Sequence, residues 1–542
     1  MTPFCAATEP RRPPEVGGCA PGLKRQGGRR IVLRKAEFAV FRTEEGIMGK
    51  RAFGIIVLLA FFYSAAMAQD ARNDARNVVD SVARTIGAAN VKTIRFSGSG
   101  NIFGFGQSYQ PGGPWVKFNL KSYTQLADYE RGASREENVR TYLDPPDLGG
   151  TALFIGELRQ VAFLSGDAAW NAGPGGAPAP APAAVEARQL QLAITPHGFV
   201  KAAMAASPTV QSKTVGGKRL SVVSFTWKGK YKVNGYVNSQ NLLEKVETWM
   251  PDPFLGDMLV ENIFTDYRDF SGVKFPGKMV QNQGGFPVLD LTVSDVQPNA
   301  PASLDVPEAA RQPVPPVSRI ESLKLADGVW FLTAPVGPNS MAVEFQDYVA
   351  VVEGPFSEER SLAVIAEVKK LVPNKPLRYL INTHHHFDHS GGIRTYAAEG
   401  VTIITHQINK AWYEKNFRLP RTLSPDKLSQ NRKSAKLVTL TDKYVLTDGS
   451  HSLEVHLSQG LGHNPGLLLV YLPKEKLLYQ ADYFTAPPPG APLPPADNMI
   501  NRRNLNLQAN IDRLKLDVER IAAAHGRVMP IADLRKAIGK AE

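Results

Sequence analysis

One run constrains this chain more than any other: Thr383-His384-His385-His386-Phe387-Asp388-His389-Ser390-Gly391-Gly392. It places three candidate metal-binding imidazoles and a carboxylate within the six residues His384–His389. The preceding segment Leu377–Asn382 reads as a short buried strand. Side chains alternate along an extended segment, so His384, His386 and Asp388 are expected to point one way and His385 and Phe387 the other. His389 breaks the alternation, so the chain must turn there, and Ser390, Gly391 and Gly392 are small enough to allow it. Such a geometry presents two donors to one metal ion and two to a second beside it. A mixed nitrogen and oxygen donor set suits zinc, with iron and manganese as alternatives.

The surroundings fit an α/β region over residues 319–538. Val329–Leu332, Met341–Phe345 and Tyr348–Val352 read as strands. Ser357 is placed to cap a helix, with Glu358 and Glu359 in its first turn and Leu362, Ile365, Ala366, Val368 and Leu371 as its apolar face. The strand that ends at the His run follows. Sites form at the C-terminal ends of strands in this arrangement. A second helix is expected over Leu505–Ala523.

With 542 residues the chain is too long for one ordinary domain. Met48-Gly49-Lys50-Arg51, the apolar run Ala52–Tyr63 and Ala66-Met67-Ala68 read as a secretory signal peptide over 48–68, cleaved after Ala68. The apolar run is short for a membrane span. Met48 is then the expected start, and residues 1–47 an Arg-, Gly- and Pro-rich extension, disordered or not translated. The protein is expected in the periplasm or outside the cell. Cys5 and Cys19 both precede the cleavage site, so the mature chain has no disulfide and no thiolate ligand. Residues 1–68 hold eleven Lys/Arg against five Asp/Glu, half of the net charge of +12. The rest shows no dense basic run with interleaved aromatics, so no nucleic-acid partner is expected. Nothing in the sequence specifies an oligomeric state.

Residues 70–298 read as β-rich. A helix over about 70–89 is followed by alternating runs at Ile94–Phe96, Trp115–Phe118, Ser221–Val237 and Leu289–Ser294. The stretch Gly173–Ala184, full of Pro, Ala and Gly, reads as a flexible loop. A mostly antiparallel, α+β arrangement is expected. It is similar to the periplasmic lipoprotein-carrier half-barrels, in which a curved sheet wraps a helix, and that likeness implies a groove for a lipid or other apolar ligand. The Pro-rich stretch 299–318 reads as a semi-rigid linker.

The pattern H-x-H-x-D-H resembles the signature of the metallo-β-lactamase fold hydrolases. The resemblance covers about residues 319–538 and implies an αββα sandwich. It also implies three later residues, and each has a match: His463 in Gly462-His463-Asn464-Pro465-Gly466, Asp482 after Leu477–Ala481, and His525 in Ala524-His525-Gly526. By this likeness His384, His386 and His463 hold the first metal ion, and Asp388, His389 and His525 the second, with Asp482 shared. His385 faces away, and His406 is structural. Where the family usually has a supporting Asp, this chain has Glu353.

The resemblance implies two Zn2+ ions and hydroxide generated from bound water, with Asp388 and Asp482 as the catalytic carboxylates. An ester, lactone, thioester, amide or phosphodiester of a small molecule is the expected substrate. Asp482 looks closer to the glyoxalase II-like general hydrolases than to the zinc β-lactamases, which usually carry Cys or Ser there. The alternatives are an iron-dependent oxygenase or redox enzyme on the same fold, and a lipid or cofactor carrier acting through residues 70–298. The Pro-rich run Ala486–Pro495 is a candidate for the substrate rim.

Overall fold

Thirteen strands between Thr93 and Pro298 hydrogen-bond into one antiparallel sheet. Its first strand, Thr93–Gly104, pairs on one side with Val116–Asp128 and on the other with the last strand, Phe286–Pro298. The strands early in sequence therefore run outward to Pro178–Pro180 at one edge, and the later ones to Thr209–Val215 at the other. The computed structural model describes residues 74–143, 148–150, 154–431, 433–485 and 499–540. The segments 1–47, 48–68 and Ala486–Pro495 lie outside them. No described helix is long and apolar enough to cross a membrane.

Alternation builds this sheet. In Val116–Asp128 the residues Val116, Phe118 and Leu120 are buried while Asn119 and Lys121 are exposed, the period of two of a half-buried strand. One helix, over 74–86, adds Val79, Val82, Ala83 and Ile86 to the same core. A second, Pro196–Ala205, is capped by Thr195 Oγ1, which accepts from Gly198 N at 3.2 Å, and buries Phe199, Val200 and Ala203. The stretch 173–184 is not the loop expected. Pro178–Pro180 forms the edge strand, a place where prolines are tolerated because no inner neighbour needs their missing N–H. A cavity of about 310 Å³ opens in this region. Its wall is mixed, with Phe96, Phe264 and Met279 beside Gln125, Asn262 and Gln281.

From residue 321 onward two further sheets form. The seven-stranded sheet begins with four antiparallel strands, Glu321–Ala326, Val329–Thr333, Ser340–Glu344 and Val349–Val352. Leu377–Ile381, Thr402–His406 and Lys436–Leu440 then add in parallel. The six-stranded sheet runs in the order Lys443–Thr447, Ser452–Leu457, Leu468–Leu472, Leu477–Gln480, Arg520–Ala523 and Val528–Pro530.

Val349–Val352 explains how the layers meet. Its four residues are fully buried, and alternation divides them. Ala350 and Val352 join an apolar cluster with Leu453, Val455 and Leu469 of the six-stranded sheet. Val349 and Val351 join another with Val364, Ile365 and Val368 of the helix Glu358–Leu371. Each fully buried valine contributes about 1.5–3 kcal/mol. The helix starts as expected, with Ser357 Oγ accepting from Arg360 N at 3.3 Å. Its inward face is shifted, however: Val364 is buried, Leu362 only partly so, and Ala366 is exposed. The helix expected over Leu505–Ala523 also differs. It spans Met499–Leu514 and stops at Lys515, whose φ is 53°; Arg520–Ala523 is a strand parallel to Leu477–Gln480.

The segment 299–318 holds one 3-10 turn, Glu308–Arg311, and the buried Arg360 guanidinium donates to the Val317 carbonyl. Residues of the large sheet and of the site-bearing region share one apolar cluster. Phe254 stacks on Phe387 with ring centroids 4.6 Å apart and packs against Trp412. Asp257 accepts from the Thr422 N and Oγ1 atoms at 2.8 and 2.6 Å. Behind this contact the buried carboxylate of Asp426 pairs with Arg394 and Arg421.

Candidate metal centre

The site grows from the C-terminal end of Leu377–Ile381, which lies between two parallel neighbours. Asn382 continues the pairing, donating from N to the Ile404 carbonyl at 2.9 Å. Its side chain then folds the loop back on itself, donating to the His389 carbonyl at 3.1 Å. The extended course ends at His386, and Phe387–Ser390 is one helical turn. The strict alternation read from the sequence therefore covers His384 to His386, and Asp388 reaches the site from the turn instead.

All seven residues singled out from the sequence come together, in two groups. His384, His386, His463 and Asp482 form one, and Asp388, His389 and His525 the other. In the first, His384 Nε2 lies 2.8 Å from His386 Nδ1 and 3.4 Å from His463 Nε2. In the second, His389 Nε2 is 3.0 Å from His525 Nε2, and Asp388 Oδ2 is 3.3 and 3.2 Å from those two atoms. Asp482 faces both groups. Its Oδ2 lies 3.2 Å from His384 Nε2, 3.3 Å from His463 Nε2 and 3.0 Å from His389 Nε2, and its Oδ1 lies 3.4 Å from His525 Nε2. Asp482 follows its strand with φ 63°, a left-handed backbone that turns the carboxylate back towards the loop.

Outer partners fix which ring nitrogens face inward. Glu353 is fully buried, with φ 75°. Its Oε2 accepts from Thr383 Oγ1 at 2.6 Å and from His389 Nδ1 at 3.0 Å. The Thr383 hydroxyl hydrogen is thus spent on Glu353, so its oxygen accepts from His384 Nδ1 at 3.0 Å. His384 and His389 are left with bare Nε2 atoms aimed at the site. His386 Nε2 donates to the Ser108 carbonyl at 2.9 Å, which leaves its Nδ1 bare. Glu353 thereby supports the loop by hydrogen bonding through both Thr383 and His389.

The electrostatics agree with a site built for cations. Burial first, then the neighbouring imidazoles, holds His384 and His386 well below the usual histidine range. Burial lowers His463 too, although Asp482 opposes it. Burial would raise Asp388 and Asp482, but the surrounding imidazoles, His389 foremost, hold both well below the carboxylate range. His389 is pushed up against burial by Asp388, Asp482 and Glu353. His384, His386 and His463, held neutral, and the ionised Asp388 and Asp482 are in the protonation states that ligate metal, whereas the carboxylates around His389 favour a proton on it that a bound cation would have to displace. Tetrahedral bonds of ~2.0–2.1 Å would separate donor atoms by about 3.3 Å, close to the contacts between these atoms. Bare nitrogens 2.8 Å apart repel unless a cation lies between them. The buried Asp482 Oδ2 has no hydrogen-bond donor. The residues present therefore fit a metal pair.

The remaining histidines have other work. His385 faces away, as expected. Asn464 Oδ1 accepts from Gly466 N at 2.7 Å, so its Nδ2 is the group that donates to His385 Nδ1 at 2.6 Å. His385 then donates from Nε2 to Ser108 Oγ at 3.1 Å, and burial holds it neutral, at about 3. His406 Nε2 donates to the Thr441 carbonyl at 3.1 Å, a structural role. Gln107, Ser108 and Arg503 were missed from sequence. Arg503 Nη1 donates to the Asp482 carbonyl at 3.2 Å. Its charge and its helix were the only available signals, and neither marks a site.

These features define a histidine and aspartate metal site on a mixed α/β fold. Residues 333–525 match the family model of the metallo-beta-lactamase superfamily. The chain is similar to the 2,4-dinitroanisole O-demethylase subunit alpha of Nocardioides sp. (strain JS1661), 27% identical over 165 residues. That match takes in 29% of this chain and 45% of the relative, so it spans less than half of the relative's length. Among solved structures, a metallo-beta-lactamase from Pontibacter korlensis is 19% identical, with 41% of this chain and 98% of that chain covered and a TM-score of 0.32. The rubredoxin oxygen:oxidoreductase of Desulfovibrio gigas is 17% identical, with 40% and 61% covered and a TM-score of 0.32.

Proposed function

We propose that residues 319–538 form an αββα hydrolase domain that works with two divalent cations, zinc first, on a small-molecule substrate. His384, His386 and His463 would hold one cation, and Asp388, His389 and His525 the other. Asp482 faces both sets, and this is the observation that carries the reading. Such a pair, when bound, lowers the pKa of a coordinated water and polarises a carbonyl or phosphoryl oxygen. Asp388 and Asp482, both held ionised, would orient the attacking water by accepting its hydrogen bonds and would help pass its proton to the leaving group. Glu353 and the Ser108 carbonyl keep the imidazoles in the tautomers that face inward.

A lactone, thioester, β-lactam or phosphodiester fits this chemistry, and the O-demethylase relative adds an aryl methyl ether. The test is a panel of those five classes, with 2,4-dinitroanisole as the ether, run on purified protein beside elemental analysis of the same sample. The hydrolase reading expects two divalent ions per chain and turnover of at least one class without oxygen or reductant. Turnover that needs oxygen or reductant, on protein holding iron, would favour the redox alternative instead.

Two further proposals concern the rest of the chain. Residues 48–68 are proposed to export the protein to the periplasm, on sequence alone. The cavity of the large sheet is proposed to take a lipid or other apolar ligand against Phe96, Phe264 and Met279, since the polar wall residues Asn262 and Gln281 already hydrogen-bond to each other and to their neighbours. Mass spectrometry of the natively purified protein would find a co-purifying ligand or its absence.

A further inference from the structure

We propose that the metal centre is completed from the other half of the chain: Gln107 is a positioning residue for Asp388, and the Ser108 carbonyl positions His386. The inference rests on the two-cation reading above.

The first strand of the large sheet ends at Gly104, and a tight turn follows, with Gln107 N donating to the Gly104 carbonyl at 3.1 Å. This turn lies on the metal loop. Phe387 N donates to the Gly106 carbonyl at 3.3 Å. Gly106 has φ 76°, and a Cβ there would stand 2.7 Å from the Phe387 ring, so two requirements demand glycine at once. Phe387 separates His386 from Asp388 in sequence. Its ring is boxed by Phe105 at 5.3 Å, Trp115 at 5.5 Å and Phe254 at 4.6 Å between centroids.

Two hydrogen bonds then reach the donors themselves. Gln107 Nε2 donates to Asp388 Oδ1 at 2.9 Å. With Oδ1 engaged, Oδ2 is the oxygen directed at His389 and His525. An aspartate's terminal torsion is broad, so an unanchored Asp388 on a four-residue turn would swing. Ser108 O accepts from His386 Nε2 at 2.9 Å and so selects the bare Nδ1. Gly150 makes room for both. Its N donates to the Gln107 carbonyl at 3.0 Å, and a Cβ would come within 2.1 Å of Gln107 Oε1 and 2.4 Å of His386 Cε1. Outer partners of this kind change metal affinity by roughly 10–100-fold when removed.

The test uses full-length, metal-free protein titrated with Co2+, with binding read from visible absorption. Gln107→Ala removes the contact, and Gln107→Glu keeps the shape without the amide hydrogens. Both are expected to raise one of the two Co2+ dissociation constants by roughly 10–100-fold and to alter that equivalent's absorption. The other constant and the melting temperature of the metal-free protein should stay as in the parent. Gly150→Ala should raise both constants, because it displaces both donors. Unchanged constants in the Gln107 variants would overturn the assignment, as would equal weakening of both constants with a lower metal-free melting temperature. If the parent itself binds fewer than two equivalents, the two-cation reading fails, and this inference falls with it.

Discussion

Replacing Glu353 by Gln tests how far the site depends on a group that touches no substrate. The carboxylate accepts four hydrogen bonds, two on each oxygen. Oε2 takes Thr383 Oγ1 at 2.6 Å and His389 Nδ1 at 3.0 Å; Oε1 takes Asn382 Nδ2 at 3.3 Å and Thr383 N at 3.4 Å. Gln has one accepting oxygen, so whichever way the amide turns, two of the four donors face an N–H instead. Hydrogen bonds to a charged group contribute about 1.5–3 kcal/mol each. The neutral amide recovers part of this, because burying it costs less than burying the carboxylate. The net effect should fall in the range seen for outer partners of metal-bound histidines, roughly 10–100-fold in affinity. That corresponds to ~1.4–2.7 kcal/mol. Competition against a chromophoric zinc chelator measures it, with far-ultraviolet circular dichroism as the control for folding. Glu353→Asp keeps the charge with a shorter reach and should lie between the two. A folded Glu353→Gln protein with parental affinity for both ions would refute the tautomer argument.

Four other outcomes follow. His386→Ala should abolish turnover and lower metal content; full occupancy with turnover would remove His386 from the site. His197 is held at about 4 by burial, with its Nε2 donating to the Ile86 carbonyl at 3.1 Å. Its folded-state pKa lies below its unfolded value of 6.5, so the unfolded chain binds more protons and stability falls as pH drops from about 6.5 to 4, by up to about 3 kcal/mol; His197→Asn should flatten that slope in urea titrations, and a parallel slope would contradict it. Asp426→Asn leaves Arg394 and Arg421 buried without their carboxylate and should cost about 3–5 kcal/mol by denaturant unfolding; a loss below 1 kcal/mol would show the pair is not buried in solution. Edman sequencing of protein from a periplasmic extract should begin at Gln69, and a chain that keeps residues 48–68 would refute cleavage after Ala68.

The site was legible because its donors announce themselves locally. Four of the seven lie in one run, and His463, Asp482 and His525 each sit beside a strand with recognisable neighbours. What supports them was not legible. Gln107 meets Asp388 across 281 positions of sequence, and an unremarked Phe-Gly-Gln-Ser carries no pattern. The helix Met499–Leu514 was read on to Ala523 for a physical reason: Leu516, Val518 and Ile521 continue an apolar pattern past the stop at Lys515. Apolar side chains serve a buried strand as well as a helix, and pairing with Leu477–Gln480 decides between them. At 173–184 composition misled for the opposite reason. Proline disfavours inner strands, but Pro178–Pro180 lies at the edge, where only one side must pair.

Anomalous diffraction from crystals of the zinc-loaded protein tests most directly the proposed pair of cations sharing Asp482. It should give two peaks about 3.5–4 Å apart, one among His384, His386 and His463 and the other among Asp388, His389 and His525, with Asp482 between them. A single peak, or peaks away from these seven side chains, would contradict it.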